Sequence, residues 1–400
     1  MRALVLGAGM MGRAIAYDLC RSEEVEEVTL GDISLKVARE AARWCRSRRV
    51  RPIRVDVSKE RDVRVLMRHN FDVAVGAVSY RFNHALARAA IWAGVNFCDL
   101  GGNNEVVRRE LGLHERAREA GVSIIPDCGL APGLATILAA HAVKRLGGSA
   151  DEVRIRVGGL PLHPRPPLNY KLVFSPEGLT NEYLERAVAI REGRIVELES
   201  LTELEDIEFP EPFGRLEAFA TSGGASTLPW TMLGRVRNLD YKTIRYPGHC
   251  AMMRAIFSIG LGSTLPVRVG ESKFVPRELL HELLRRSLGD GGRDVVLLRV
   301  TAGKGSIRLT YQMVDEGMPG RGISAMMKTT AFPASVVAWM LGTGRIKKKG
   351  AVPQELCVPA GDFFRMVRER RIVISEARGR AAKSDPISNG RGSGCGIFPY

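Results

Sequence analysis

Gly7, Gly9 and Gly12 follow the apolar run Arg2–Leu6 in G-x-G-x-x-G spacing, and each glycine can serve one step in holding a pyrophosphate. The first permits a tight strand-to-helix turn, the second lets the backbone approach the anion, and the third lets helix and sheet pack closely. Met10 and Met11 open a segment, Met10–Leu19, that continues at helical period. Its N-terminus would present unpaired N–H groups to a phosphate. Twenty residues past Gly12, Asp32 closes the apolar run Val28–Gly31, where a carboxylate accepts hydrogen bonds from an adenosine ribose. Strand, glycines, helix, second strand and terminal acid together describe a dinucleotide site. Ile33-Ser34 follow Asp32 with no adjacent arginine for a 2′-phosphate, which favours NAD and leaves NADP open.

Three more stretches carry groups fit for chemistry. Pro126-Asp127-Cys128-Gly129-Leu130-Ala131-Pro132-Gly133 stands between an apolar run and a long helical segment, which puts Cys128 near the nicotinamide end. A thiol there either lines the site or is an inert buried residue. Asp99-Leu100-Gly101-Gly102-Asn103 offers a carboxylate that can orient an amine or tune a neighbouring acid, or that can cap the following helix. Thr221-Ser222-Gly223-Gly224 and the run Asp240-Tyr241-Lys242-Thr243-Ile244-Arg245-Tyr246-Pro247-Gly248-His249 gather Tyr, Lys, Arg and His about a Pro-Gly turn. That set suits anion capture and proton transfer.

The elements that must position these residues alternate strand and helix over residues 1–125. Extended runs Arg51–Val55, Phe71–Val75, Val95–Cys98 and Val122–Ile125 are separated by helical segments Lys36–Arg46, Glu60–Arg68, Asn83–Ala93 and one long helix Glu105–Ala120. This pattern predicts a doubly wound parallel sheet, an α/β Rossmann domain, with the ligand beyond the carboxyl ends of the strands. Those ends add Asp56, Ala77, Val78 and Ser79 to the cofactor residues. After the helical segment Leu130–Leu146 and a Gly-Gly-Ser linker, extended runs dominate: Val153–Val157, Lys171–Phe174, Ala187–Ile190, Arg194–Leu198, Asp240–Arg245, Val295–Val300 and Ile307–Val314. With helices at Gly248–Ile259 and Pro276–Leu288 they predict an α+β domain with a mostly antiparallel sheet. Ser324–Leu341 is helical and apolar and is expected to pack back on the first domain, followed by a strand at Arg371–Ser375. The chain so divides into 1–148, 149–322, 323–376 and a tail 377–400 whose Gly, Ser and charge predict disorder.

Composition narrows the class. Hydrophobic residues make up 45% and charged residues 26% of 400 residues, as in a globular protein of two domains. No apolar stretch spans a bilayer, and a strand starting at the first residues leaves no room for a signal peptide. Seven scattered cysteines without a C-x-x-C pair argue against a disulfide framework or a metal site and fit a reducing cytoplasm. The net charge of +15 is spread, apart from Arg46–Arg49 with Arg51 and Lys347–Lys349. Neither run is interleaved with aromatics, so a nucleic-acid groove is not expected, and attraction of anionic cofactor and substrate is the better use. Two glutamines beside abundant arginine point to a thermophilic source.

These stretches together resemble the saccharopine dehydrogenase family. The shared pattern runs from the glycine turn through Asp99-Leu100-Gly101-Gly102 and the Asp127–Gly133 turn. It continues through Tyr170-Lys171-Leu172-Val173-Phe174-Ser175-Pro176-Glu177-Gly178-Leu179, Thr221–Gly224, Asp240–His249 and Ile323–Ala331, covering the chain to about residue 376. The resemblance implies a homodimer or larger assembly and oxidation of a C–N bond with NAD or NADP. It further implies action at the ε-carbon of L-lysine, with saccharopine oxidation or reduction as the alternative and a non-catalytic dinucleotide sensor as a second one. Saccharopine-handling members carry an arginine where Glu177 stands here, which favours a substrate with a free amine. On this reading His249 and Asp99 are candidates for the base with Cys128 lining the site. Arg245 and Tyr246 hold the α-carboxylate, with Lys171 and its neighbour Tyr170 as weaker candidates.

Overall fold

A computed structural model describes residues 1–288 and 292–380 of the chain. Six parallel strands, β1 (Arg2–Leu6), β2 (Glu27–Asp32), β3 (Val50–Arg54), β4 (Val73–Gly76), β5 (Asn96–Asp99) and β6 (Ser123–Ile125), lie in spatial order 3-2-1-4-5-6. This is the doubly wound dinucleotide-binding order, and it puts the strand-order reversal between β1 and β4. Ala3, Leu4, Val5 and Leu6 are fully buried because helices cover both faces of the sheet. A short strand, Gly350–Ala351, pairs parallel with β6 and closes that edge as the seventh strand. The expected single helix Glu105–Ala120 is two helices, Asn104–Leu111 and His114–Glu119. The break lets the second one dock on the seventh strand, where the His114 ring meets the Ala351 carbonyl at 2.8 Å.

The second sheet has nine strands. β7 (Ala150–Pro161), β8 (Ala187–Arg191), β9 (Arg194–Leu198), β10 (Glu205–Phe209), β11 (Gly214–Ala220) and β12 (Val236–Arg245) are followed by the long hairpin Asp294–Lys304 and Ile307–Asp315. All neighbours pair antiparallel except β12 with β7. Two expectations are corrected here. Lys171–Phe174 is not a strand; it leads into a helix, Pro176–Leu184, whose start Ser175 caps through Gly178 N–H (3.1 Å) with Pro176 in the first turn. The final strand is Ser375–Arg380 rather than Arg371–Ser375, and it pairs with Ile307–Gln312, so the segment expected to be disordered begins as ordered edge strand. The rest of that tail, 381–400, lies outside the described residues.

The helix Ala325–Gly342 is buried almost all round and packs on the Met10–Leu19 helix, under β1, β4 and β5, and against Asp294–Lys304. It therefore joins the two sheets through one core. Its N-terminus is fixed by the buried Asp294, whose two oxygens accept from Ala325 N (2.7 Å) and Met326 N (3.0 Å). Midway along it the Ser335 hydroxyl donates to Asp18, which also pairs with Arg370. No described helix is long and apolar enough to cross a membrane.

Candidate active site

The glycine turn forms as the spacing dictates. Gly7 sits at φ +102°, and a Cβ there would lie 2.3 Å from the Ala77 carbonyl oxygen. A Cβ on Gly12 would lie 1.7 Å from the Gly7 oxygen, so neither position admits a side chain. Gly9 differs: a Cβ there would meet nothing within 4 Å. It is the open position above the N-terminus of Met10–Leu19, a helix start that no side chain caps. Asp32 ties β2 to this turn, its Oδ2 accepting from Ala8 N and its Oδ1 from Ser34 N, both at 2.9 Å. A carboxylate keeps further lone pairs for ribose hydroxyls. Ala77 and Val78 lie against Gly7, whereas Ser79 is exposed ahead of the short turn Tyr80–Phe82. Asp56 spends one oxygen on the Ser58 hydroxyl (2.7 Å) and backbone, which holds its carboxyl below the usual range. Across the sheet, Arg54 stands in register with Asp32. An open glycine, a free helix N-terminus and a strand-end acid fit a nicotinamide dinucleotide.

A cleft of about 300 Å³ starts at Met11, the second residue of that helix, and runs between the two sheets. Leu100 and the turn Gly129–Pro132 form its first wall; Val157 and Gly159 of β7 with Tyr241, Thr243 and Arg245 of β12 form the opposite one. Helix Pro176–Leu184 contributes Asn181 and Glu182, and Met326 and Thr330 come from the central helix.

One charged group of the cleft is Asp127. It sits at φ +65°, receives the Ser226 hydroxyl, and has its carboxyl pushed up to about 8, chiefly by burial. Behind it stand two more buried acids. Asp99 is fully buried, accepts from Gly101 N at 2.6 Å, and shares its surroundings with Glu110. Neither Glu110 carboxylate oxygen has another partner; burial and the charge of Asp99 push its carboxyl far up. No lysine or arginine pairs with any of the three among the described residues, so protons must stand in for cations.

Another charged group of the cleft, beside Glu182 and Glu185, is Arg245, buried at the end of β12. Its Nε donates to the Tyr183 hydroxyl (2.8 Å), Nη1 to the Ile244 carbonyl (2.9 Å), and its guanidinium lies over the Tyr170 ring at 4.8 Å. His249 stands one layer further back. Its Nε2 meets the Tyr183 hydroxyl and its Nδ1 the Leu168 carbonyl, both at 3.0 Å, and burial with the nearby Arg245 charge lowers its pKa to about 3.

The remaining expected residues are displaced from the cleft. Cys128 turns its thiol onto the Ile125 carbonyl, and burial raises its pKa well above the thiol range. Lys171 donates to the Gly292 carbonyl (2.8 Å), and Tyr246 to the Pro161 carbonyl (3.0 Å) on the far face of the strand. β12 ends at Arg245, and Tyr246 just beyond it packs in the cluster of Ile244 and Leu160. Glu177, read above as a selector for a free amine, pairs instead with Arg285 (2.6 Å) and His281 (3.6 Å) outside the cleft. Reading the sequence missed Asp127 and Glu182. The first was visible as an acid beside a glycine at a strand end, whereas the second lay in a segment with no helix assigned.

Comparison with known proteins bears on the fold and the family. The model of the saccharopine dehydrogenase NADP binding domain matches residues 3–125, and that of the saccharopine dehydrogenase C-terminal domain matches 129–371. The mitochondrial alpha-aminoadipic semialdehyde synthase of Mus musculus is 22% identical over 87% of this chain and 45% of its own, so the chain spans about half the length of that relative. Carboxyaminopropylagmatine dehydrogenase of Synechocystis is 20% identical over 87% of this chain and 91% of that one. The apo structure of saccharopine dehydrogenase (L-Glu forming) from Saccharomyces cerevisiae superposes with a TM-score of 0.77 at 18% identity, over 94% of this chain and 99% of that one. With both family domains matched in order along nearly all of the described residues, the chain belongs to the saccharopine dehydrogenase family.

Proposed function

We propose that the protein is an NAD(P)-dependent amino-acid dehydrogenase that oxidises the C–N bond of a lysine-type substrate, and specifically an L-lysine 6-dehydrogenase. The observation that carries the reading is the single cleft that joins the glycine-turn helix at Met11 to the buried Arg245, with Asp127 on its wall. A dinucleotide held by Gly7–Gly12, Asp32, Ala77 and Val78 supplies the hydride acceptor. The chain supplies the rest. Arg245 takes the substrate's α-carboxylate and is itself aimed by Tyr183, which His249 holds from behind. That makes His249 a positioning residue, since a group titrating near 3 and facing away from the cleft is poorly placed as the base. Asp127 takes the proton that the ε-ammonium must lose before its carbon gives up hydride. It passes that proton to solvent, then takes one from the water that adds to the iminium and returns it to the carbinolamine nitrogen, so that semialdehyde and ammonium leave. Burial sets its proton affinity high, and the charges of Asp99 and Glu355 raise it further.

Saccharopine oxidation is the second reading, favoured by one observation: Glu177 is occupied by Arg285 and so does not oppose a second carboxylate in the cleft. Reduced-nicotinamide formation by the purified protein, offered NAD or NADP with L-lysine and then with saccharopine, separates the two. Turnover with L-lysine is expected; turnover with saccharopine alone would replace it by the second reading. Dinucleotide binding without turnover of either would leave a sensor.

A further inference from the structure

Buried ion pairs in this protein close to hydrogen-bond distance: Lys328 with Asp315 at 2.7 Å, Arg370 with Asp18 at 2.6 Å, Arg156 with Asp240 at 2.5 Å. Arg245 and Glu182 do not. Nη2 of Arg245 stands 3.8 Å from Oε2 of Glu182, beyond a hydrogen bond, while both residues line the cleft. The gap is held open from each side. Arg245 is fixed by Tyr183, the Ile244 carbonyl and the Tyr170 ring. Glu182 is fixed through Oε1, which accepts from the hydroxyls of Thr243 and, at 3.4 Å, Thr221. Nη2 of a cation, with both its N–H groups, and one oxygen of an anion are thus left side by side without a hydrogen-bond partner in the protein and largely withdrawn from water. Charges left in this state are costly unless a ligand completes them.

A carboxylate and an ammonium on one carbon complete both at once. We propose that Glu182 recognises the substrate's α-ammonium while Arg245 takes its α-carboxylate, so that the pair selects α-amino acids against diamines and ω-amino acids. The proposal rests on the reading that the cleft takes a lysine-type amino acid. Glu182 is the specificity-determining residue of that reading, reaching the cleft from the helix Pro176–Leu184.

Non-reacting probes test it apart from turnover. L-norleucine carries both α groups and no ε-amine; hexanoate carries the carboxylate alone. Titration calorimetry on the NADH-loaded protein is expected to show norleucine bound about tenfold or more tighter than hexanoate. Glu182→Gln should bring the two within about threefold by weakening norleucine alone, and Glu182→Asp should restore part of the preference. With L-lysine as substrate, Glu182→Gln should raise KM and spare kcat. Unchanged NADH affinity shows that the variants are folded. The proposal is overturned if the wild type does not prefer norleucine or fails to bind it, or if Glu182→Gln weakens both probes alike. If neither lysine nor saccharopine is turned over yet the norleucine preference exists and is lost in Glu182→Gln, the dehydrogenase reading fails and this one stands.

Discussion

Asp127 occupies the left-handed backbone region, where Asn is as well tolerated as Asp, so Asp127→Asn removes the ionisable group with little strain on the turn. Its expected outcome is a loss of turnover of about 100-fold or more at unchanged NADH affinity. In the wild type, a carboxyl raised to about 8 is mostly protonated at neutral pH and becomes a base only above that value. The rate should therefore climb as pH rises through about 8, and a pH–rate profile flat across that range would remove Asp127 from the role of base. The same scale explains what the sequence hid. His249, Arg245 and Tyr246 read as one cluster because they are neighbours along the chain. Tyr246 lies just past the end of β12 and packs beside Ile244 and Leu160, and burial puts His249 behind Tyr183.

The helix Met10–Leu19 and its glycine turn offer a test at the scale of an element. Gly9→Ala adds a methyl that meets no atom of the protein within 4 Å, whereas Gly12→Ala drives one into the Gly7 carbonyl. Gly9→Ala should keep its thermal midpoint near that of the wild type while NADH affinity, read by fluorescence titration, falls about tenfold or more. Gly12→Ala should lose stability as well as affinity. Equal NADH affinity in Gly9→Ala and wild type would show that the open position above the helix does not face the dinucleotide. This element was readable from spacing alone, because turn, helix start and second strand are all local. The helix Pro176–Leu184 was not: the segment just before it, Lys171–Phe174, reads as an extended run. The Ser-Pro-Glu start that outweighs it declares itself only where the helix packs under the cleft.

Three buried acids without a cation make the whole molecule sensitive to alkali. A carboxyl whose pKa is raised on folding keeps its proton in the native state after the unfolded chain has lost it. Stability therefore falls as pH rises from about 4.3 toward the raised folded value, by about 1.4 kcal/mol per pH unit for each such group. Glu110 is the strongest case, since burial and Asp99 both raise it and neither oxygen has another partner. Glu110→Gln removes its share of the decline. Urea unfolding between pH 5 and 9 should show the variant gaining on the wild type steadily with pH, at up to about 1.4 kcal/mol per unit. Parallel stability curves would mean that Glu110 is ionised in the fold or that another group compensates.

Residues 1–125 declared their architecture because each parallel strand, its helix and its turn are specified by neighbours within some thirty positions. The parallel sheet, the dinucleotide turn and the ends where ligands sit follow from that local pattern. The order of the second sheet joins positions as distant as Arg156 and Arg299, or Ala150 and Val236, and no local period encodes such pairings. Which side chains reach the cleft was decided there too. Asp127 and Glu182 reach the cleft only because the central helix holds the two sheets together. Cys128, Lys171 and Glu177 found nearer partners and turned away from the cleft.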